Sequence, residues 1–247
     1  MKIVGITRIR NEAKIIGHTL NHLKGFVDAI YVFDDCSTDD SVKICENHPL
    51  VVSVIKNTNW ISDPKIRLQL EGSQRQQLYE HCLSSNPDWV YYFDADEFIE
   101  FDKSLLTNTI HDSFKLKFFD YYITDADKDK DFFEREYCGC EYREILTLFR
   151  ARNDVHFSHR EPTLQGTNCG FYGKVKHYGK AISVEEWEST CDYYINHLYE
   201  DLGNGQTIAE RWKERKGKAI HTKSDFGTDL IKWSDTDSLL IKKIWKF

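Results

Sequence analysis

The stretch from Trp89 to Phe98, WVYYFDADEF, constrains the fold of this chain more than any other part of its sequence. In it, five apolar or aromatic residues are followed by a short segment with three carboxylates. A run this apolar is typical of a strand that is buried on both faces, as in a parallel sheet. Open α/β folds bind their ligands outside the carboxyl ends of such strands, which is where the acidic residues follow.

Asp94 and Asp96 are two residues apart, so on a strand their side chains would share one face. Two carboxylates held this close repel each other, and a divalent cation offsets the repulsion. Oxygen ligands suit Mg²⁺ or Mn²⁺, which in turn bind substrate phosphates. Because the motif is short, an acidic strand end without any ligand stays open as an alternative at this point.

The residues before this stretch alternate between strand and helix patterns. Apolar, β-branched runs predict strands at 2–7, 29–33 and 51–55. Apolar residues at helical spacing predict helices at 12–23 and 66–82. Alternation of this kind implies a parallel sheet, whose strands present their carboxyl ends at one edge.

A second predicted strand also runs into carboxylates, Asp34 and Asp35, so that Thr7, Asp34 and Asp94 are expected along one sheet edge. The loop after the first strand is polar and is not rich in glycine. Neither G-x-G-x-x-G nor G-x-x-x-x-G-K occurs in the chain, so dinucleotide-binding and P-loop functions lose their main support.

Composition narrows the class of protein further. The 247 residues fit one large α/β domain with an extension. A net charge of −7 and a pI near 5.8 argue against a general nucleic-acid binder. Seven scattered cysteines are typical of reduced thiols in a cytoplasmic protein. We find no run of 18 apolar residues and no secretory signal at the start.

Three motifs within the first 100 residues, ITRIRNEA, VFDDCSTDDS and YYFDADEFI, stand in a characteristic order and spacing. Together they resemble the nucleotide-diphospho-sugar transferases of the GT-A fold, in particular glycosyltransferase family 2. The resemblance implies a Rossmann-like, mostly parallel central sheet flanked by helices. It also implies a metal-dependent enzyme, of the kind that builds polysaccharides, which uses Mn²⁺ or Mg²⁺. The donor would be a nucleotide sugar, with UDP-sugar favoured, the acceptor a saccharide or glycoconjugate, and the transfer inverting.

The resemblance implies a nucleotide site built from the first three strand ends. Thr7, Arg10 and Asn11 fall where the family's first loop surrounds the nucleotide. Asp35 would accept a hydrogen bond from the base. Arg75 falls near a helix position at which a basic residue of the family approaches the nucleotide.

The resemblance also implies a metal site. Asp94 would lie near the ribose and the metal, and Asp96 would ligate the metal directly. His177, in an HYG-like stretch, is a candidate third ligand because a neutral imidazole binds Mn²⁺, although a hydrogen-bonded core histidine is the alternative. His221 is a second such candidate. Cys36 stands where many relatives have Gly or Asn, which makes the turn around it hard to predict.

An inverting transfer needs a general base that takes the proton of the acceptor hydroxyl. A strand is predicted at 144–150, and relatives often place a polar segment with His and Glu after such a strand, close to the acceptor. Glu161 is the leading candidate for this base, with Asp154 and Asp120 as alternatives. A surface Glu161 paired with Arg160 is the non-catalytic interpretation.

The C-terminal part of the chain differs in pattern from the rest. Residues 1–180 are predicted to form the catalytic domain and 181–247 a helical extension packed on it. Amphipathic spacing predicts helices at 184–199 and 208–216. The final residues, SLLIKKIWKF, combine apolar and basic side chains, so peripheral contact with a membrane surface is an option beside packing against the core.

Two other functions fit part of the pattern. A phosphohydrolase with an aspartate nucleophile also places D-x-D after an apolar strand. That class requires Thr or Val where Phe98 stands, and it leaves Asp34 and Asp35 without a role. A non-catalytic sugar- or nucleotide-binding module of the same fold would retain the motifs without turnover.

Overall fold

The computed structural model describes residues 1–197, 207–238 and 242–243 of the chain. Their strands are β1 (Ile3–Ile9), β2 (Ala29–Asp35), β3 (Val51–Asn57), β4 (Trp89–Tyr92), β5 (Glu97–Glu100), β6 (Ser113–Asp120), β7 (Tyr137–Gly139), β8 (Glu141–Arg150), β9 (His156–Phe157), β10 (Pro162–Thr163), β11 (Cys169–His177), β12 (Leu230–Lys232) and β13 (Lys242–Lys243). Their α-helices are α1 (Ile16–His22), α2 (Ser41–Glu46), α3 (Pro64–Leu83), α4 (Val184–His197) and α5 (Ile208–Arg215).

One large sheet runs in the order β3-β2-β1-β4-β8-β6-β11-β5, with β13 paired to β8. Strand β1 pairs in parallel with both β2 and β4, and β2 pairs in parallel with β3. Strand β8 joins β4 in the antiparallel direction. Every residue of β2 and β4 is buried, as the apolar runs predicted for strands covered on both faces. The predicted α/β class with a mostly parallel central sheet and flanking helices is confirmed.

Contacts along the chain group it into two compact units. The first unit comprises 1–61, 65–117 and 144–175. The second unit comprises 62–64, 118–143 and 176–247. The predicted domain division near residue 180 stays a prediction.

The core of the first unit forms where α3 covers the sheet. Leu78, Tyr79 and Cys82 of α3 are buried in one cluster with Ile6 of β1 and Tyr92 of β4. Full burial of one such leucine contributes about 1.5–3 kcal/mol. Helix α3 begins two residues earlier than predicted because a proline suits the first helical position, where its missing N–H costs no hydrogen bond.

The core of the second unit lies between α4 and α5. Trp187, Cys191 and Ala219 are buried there, and the rings of Tyr194 and Trp212 stack at 4.5 Å. Helix α5 starts at a capping box, in which Thr207 accepts a hydrogen bond from the Glu210 backbone N–H and the Glu210 side chain accepts one in return. The amphipathic spacing in this part of the sequence therefore predicted real helices.

Two predictions for the C-terminal part reach beyond the described residues. The helix predicted at 184–199 is confirmed as far as residue 197. Most of the basic segment at the end of the chain lies outside the described ranges, and so does its expected membrane contact. Among the helices that are described, none combines the length and the apolar character needed to cross a bilayer. All seven cysteines are free thiols, and five of them are buried.

Candidate functional site

The carboxyl ends of three parallel strands meet at one edge of the sheet in the first unit. Because β1 lies between β2 and β4, its register pairs Ile9 with Asp34 on one side and Ile6 with Tyr92 on the other. Residues that are widely separated in sequence therefore come together there. The loops that follow these strand ends carry most of the residues expected to form the site.

Asp35, at the end of β2, is buried and is held by three protein donors. Its carboxylate accepts hydrogen bonds from Arg8 NH2 at 2.5 Å, Asn57 Nδ2 at 2.9 Å and Gln74 Nε2 at 3.2 Å. Arg8 Nε also donates to Gln74 Oε1 at 2.6 Å, which ties β1 to α3. An ionised carboxylate offers about four acceptor positions, so Asp35 can accept one further donor.

Asn11 ties the loop after β1 to the loop after β2. Its side-chain Oδ1 accepts a hydrogen bond from Thr38 N at 2.7 Å, and its backbone N–H donates to Ser37 Oγ at 2.9 Å. Asn11 has a φ of 56° and Cys36 a φ of 60°, both in the left-handed region. This conformation is why Gly or Asn suits position 36, since other residues there lose roughly 1–2 kcal/mol.

Arg10 lies against the ring of Trp60, with its Cζ 4.2 Å from the ring centroid. Arg67 Cζ lies 5.3 Å from the same centroid. Two guanidinium groups are therefore placed by one indole in the loop between β3 and α3. Thr7, by contrast, is fully buried, and its hydroxyl has no hydrogen-bond partner among the residues that the structure describes. Trp60 and Arg67 were not predicted as site residues. The available signal in the sequence was a tryptophan in an otherwise polar loop.

The acidic motif occupies a turn, and the prediction that Asp94 and Asp96 share a strand face is wrong. Strand β4 ends at Tyr92, and β5 begins at Glu97. The backbone N–H of Asp94 donates to the side chain of Glu97 at 3.0 Å, and Thr19 Oγ1 donates to the carbonyl of Ala95. Because side chains take up these backbone groups, strand pairing stops and the chain turns.

A chain of hydrogen bonds beneath the turn orients Asp94. Arg75 Nε donates to the Tyr92 hydroxyl at 2.6 Å, and that hydroxyl donates to Asp94 Oδ1 at 2.7 Å. Arg160 NH2 lies 3.3 Å from Asp94 Oδ2 and also pairs with Glu97, which is fully buried. Arg75, which was expected near the nucleotide, is therefore buried and reaches the site through Tyr92.

The two arginines stay charged in this setting. Burial alone would lower the pKa of Arg160, but the neighbouring Asp94, Tyr92 and Asp96 side chains raise it above its ordinary value. The pKa of Arg75 is raised in the same way, against the effect of its burial, by Tyr92, Asp94 and Glu71. Both guanidinium groups therefore remain positively charged beside Asp94.

The charges around the turn fit a divalent cation. Asp94, Asp96 and Glu97 bring three carboxylates to the turn, and Arg160 contacts two of them, Asp94 and Glu97. The neighbouring pairs join Arg8 to Asp35 and Glu71, and Arg75 to Glu71. The turn thus groups carboxylate oxygens, the ligands that Mg²⁺ and Mn²⁺ require.

The candidate bases differ in how their carboxylates are held. Glu161 is half-buried in the loop between β9 and β10, directly after Arg160. Asp154 forms a two-point pair with Arg152 at 2.8 and 2.7 Å, and these hydrogen bonds lower its pKa. A carboxylate with a lowered pKa is a weaker proton acceptor, so the geometry favours Glu161 over Asp154.

The other sequence candidates belong to the second unit. Burial would raise the pKa of Asp120, but Lys180 and Arg143 lower it well below its usual range, which makes it a poor base. His177 Nδ1 lies 2.7 Å from Asp120 Oδ1. His221 Nδ1 lies 2.8 Å from the Ala219 carbonyl oxygen, and burial lowers the pKa of its ring. The role of His177 as a metal ligand stays a prediction.

Gly72 on α3 allows the helix to approach the loop that carries Arg160 and Glu161. A Cβ at this position would lie 2.5 Å from the carbonyl oxygen of Ser158. We expect Gly72→Ala to destabilise the protein by about 1–3 kcal/mol through this overlap, although alanine favours helix. Urea denaturation measures the change. Ser73→Ala, at an exposed position on the same helix, is the control and should change stability by less than about 0.5 kcal/mol. A Gly72→Ala protein that gains stability would contradict the close approach.

No protein-family model matches the chain. An uncharacterised protein of Mycobacterium tuberculosis is 37% identical over 111 residues, which cover 42% of this chain and 26% of that protein. The chain thus spans about a quarter of the length of this relative and of its Mycobacterium bovis counterpart. An uncharacterised glycosyltransferase of Rickettsia conorii is 26% identical over 218 residues, covering 81% of this chain and 70% of that protein.

Among solved structures, the chain is similar to glucosyl-3-phosphoglycerate synthase from Mycobacterium tuberculosis, solved with Mn²⁺, UDP and glucosyl-3-phosphoglycerate. The identity is 17%, the match covers 47% of this chain and 44% of that one, and the TM-score is 0.35. The resemblance to glycosyltransferases that the sequence motifs imply is confirmed by the Rickettsia relatives, which carry that name.

Proposed function

We propose that this chain is a metal-dependent glycosyltransferase that moves a sugar from a nucleotide-diphosphate donor to a saccharide or glycoconjugate acceptor, with UDP-sugar as the favoured donor. One observation carries the proposal. The carboxyl ends of β1, β2 and β4 bring an acidic turn with three carboxylates to the same sheet edge as the strand end that carries Asp35. A divalent cation and the nucleotide it accompanies suit this combination.

The nucleotide would lie along the ends of β1 and β2. Asp35, already oriented by Arg8, would accept the N–H of the base. Asn11 holds the two loops that frame the nucleotide, and Thr7 lies buried beneath them. Arg10, placed by Trp60, would supply positive charge toward the diphosphate.

Asp94 and Asp96 would hold Mn²⁺ or Mg²⁺, which offsets the negative charge on the leaving diphosphate when it is bound. Arg75 and Tyr92 fix the direction of the Asp94 carboxylate through their hydrogen bonds. Arg160 stabilises the turn through its ion pair with Glu97. His177 is proposed as a further ligand on the basis of the sequence resemblance alone.

The transfer itself is a single displacement with inversion. The acceptor hydroxyl loses its proton to Glu161 as its oxygen forms a bond to the anomeric carbon. The bond from that carbon to the diphosphate oxygen breaks, and its electron pair leaves with the nucleoside diphosphate. Because attack comes from the face opposite the leaving group, the configuration at the anomeric carbon inverts.

Glu161→Gln tests the assignment of the base. We expect transfer to slow by roughly a hundredfold or more, the usual scale for a lost general base, while UDP affinity stays within about twofold. Release of nucleoside diphosphate at saturating donor measures the rate. His159→Gln, an exposed neighbour in the same loop, is the control and should transfer normally. Normal turnover in Glu161→Gln would remove this residue from the mechanism.

The proposed function is tested by calorimetric titration with UDP, with Mn²⁺ and with a chelator, followed by a donor screen. UDP-, GDP- and dTDP-sugars are offered with simple saccharide acceptors, and nucleoside diphosphate release is scored. Metal-stimulated UDP binding with sugar transfer supports the proposal. Binding without turnover on any donor would indicate a non-catalytic module. Hydrolysis of a phosphate monoester without UDP binding would indicate a phosphohydrolase.

A further inference from the structure

The second unit holds a connected series of charged side chains that the proposed transfer does not use. Asp120 pairs with Arg143 through Oδ1 and with Lys180 Nζ through Oδ2, the latter at 2.7 Å. Lys180 Nζ also lies 2.5 Å from Asp225 Oδ2, and Arg215 NH2 lies 2.7 Å from that same oxygen. Cations and anions thus alternate, with an arginine at each end.

This series, Arg143–Asp120–Lys180–Asp225–Arg215, has more positive than negative charge. Three cations share two carboxylates. Arg211 adds a further positive charge near Arg215, since its pKa is lowered first by burial and then by the charge of Arg215. The chain as a whole carries a net charge of −7, so this local excess of positive charge is opposite in sign to the charge of the whole chain.

The series is largely withdrawn from solvent. Lys180 is 15% exposed, Asp120 14% and Asp225 9%. A network that served stability alone would be expected to balance its charges, because uncompensated charge is costly when it is partly buried. A bound anion would supply the missing negative charge.

Either terminal arginine offers N–H donors to such an anion. Each contacts its carboxylate through a single nitrogen, NH2, and a guanidinium has five N–H donors in a planar fork. Arg143 is 25% exposed and Arg215 17%, so both reach solvent. The fork matches the oxygens of a phosphate group, which it can bind through two hydrogen bonds.

The series is also held in place before any ligand arrives. Lys180 lies 5.3 Å from the centroid of the Tyr122 ring, and the Tyr122 hydroxyl accepts a hydrogen bond from the backbone N–H of Asp225 at 3.1 Å. Arg215 Cζ lies 4.9 Å from the Trp212 ring centroid. Pre-ordered side chains lose less entropy on binding, which favours affinity.

We infer that this series is a binding site for a phosphate group, taken either from inorganic phosphate or from a phosphorylated small molecule. The inference concerns the second unit and does not depend on UDP binding or on sugar transfer. It therefore stands or fails separately from the proposed function.

Calorimetric titration of the whole protein at low ionic strength tests the inference, with inorganic phosphate, glycerol 3-phosphate and acetate as probes. We expect saturable binding of phosphate that weakens as salt is added. Arg143→Gln or Arg215→Gln should weaken it at least tenfold, according to which end of the series holds the phosphate. Lys128→Gln, which removes the same charge from an exposed pair with Asp125 in the same unit, should bind within twofold of the parent protein.

The two phosphate probes distinguish the source of the group. Tighter binding of glycerol 3-phosphate supports a phosphorylated small molecule, and tighter binding of inorganic phosphate supports the free ion. Absence of saturable phosphate binding, equal affinity for acetate, or unchanged affinity in both arginine variants would each overturn the inference.

A measurement on the unaltered protein covers the case in which a variant does not fold. Nuclear magnetic resonance of the arginine Nε–H groups during phosphate titration reports which guanidinium groups meet the ligand. We expect the signal of Arg143 or of Arg215 to shift and to saturate. Saturating shifts confined to arginines of the first unit, such as Arg10 and Arg67, would place the anion elsewhere and contradict the inference.

Discussion

Replacing Asp96 by asparagine should leave a folded protein that has lost its Mn²⁺-stimulated UDP binding and at least about 99% of its transfer activity. The substitution keeps the shape of the side chain and removes one negative charge. A divalent ion needs anionic oxygens to compete with water, and Asp96 supplies one of the three carboxylates of the turn. We therefore expect UDP affinity to be nearly the same with Mn²⁺ and with chelator in this variant.

The matched control is Asp40→Asn, which removes the same charge from an exposed carboxylate paired loosely with Lys43 at 3.9 Å. It should retain the full Mn²⁺ effect. Thermal unfolding of both variants shows whether the fold is intact, since a structural carboxylate at a turn would change stability by about 1 kcal/mol or less. Full Mn²⁺ stimulation in Asp96→Asn would show that the turn does not bind the metal, and the proposed mechanism would lose its basis.

Replacing Arg160 by methionine should destabilise the protein by about 3–5 kcal/mol, because it leaves Glu97 buried without its cation. Glu97 is 0% exposed and is bonded to Arg160 and to the backbone N–H of Asp94. Methionine keeps much of the volume of the arginine stem, so the loss reports the charge more than the packing. Urea denaturation measures the free energy of unfolding.

The pH dependence separates this charge effect from a loss of packing. In the Arg160→Met protein, protonation of Glu97 would remove the uncompensated charge. The folded state would then hold a proton that the unfolded state releases near neutral pH, so its stability falls as pH rises. The loss relative to the parent should therefore be larger at pH 8 than at pH 5. The double variant with Glu97→Gln should recover much of the stability, and a loss below 1 kcal/mol at both pH values would contradict the pairing.

Local patterns in the sequence were enough to predict the strands β1 to β4 and the helices α1 and α3, whereas β5 was not predicted. The apolar runs before Asp34 and Asp94 predicted buried parallel strands, and these strands are confirmed. The prediction of these strands succeeds because a strand covered on both faces must be apolar along its whole length. The alternation with helices then predicted that the strand ends would meet at one edge, as they do.

The details at that edge depend on residues that are distant in sequence. Arg8 and Gln74, which hold Asp35, are 66 positions apart, and Arg160 reaches Glu97 across 63 positions. No local pattern contains such pairs, because they form only when the strands, α3 and the β9–β10 segment are packed together. The end of β4 at Tyr92 was missed for the same reason: the Glu97 side chain and Thr19 of α1 take up the backbone groups of the turn.

The sequence by itself therefore determined the α/β class, the strands whose ends form the edge and the acidic character of the site. These properties follow from hydrophobic periodicity and from chain connectivity, both of which depend on residues that are close in sequence. Only the tertiary structure decided which cation each carboxylate meets. Asp35 pairs with Arg8, Glu97 and Asp94 with Arg160, and Asp120 with cations of the second unit. Charge balance is decided by proximity in space, and proximity in space is settled by packing.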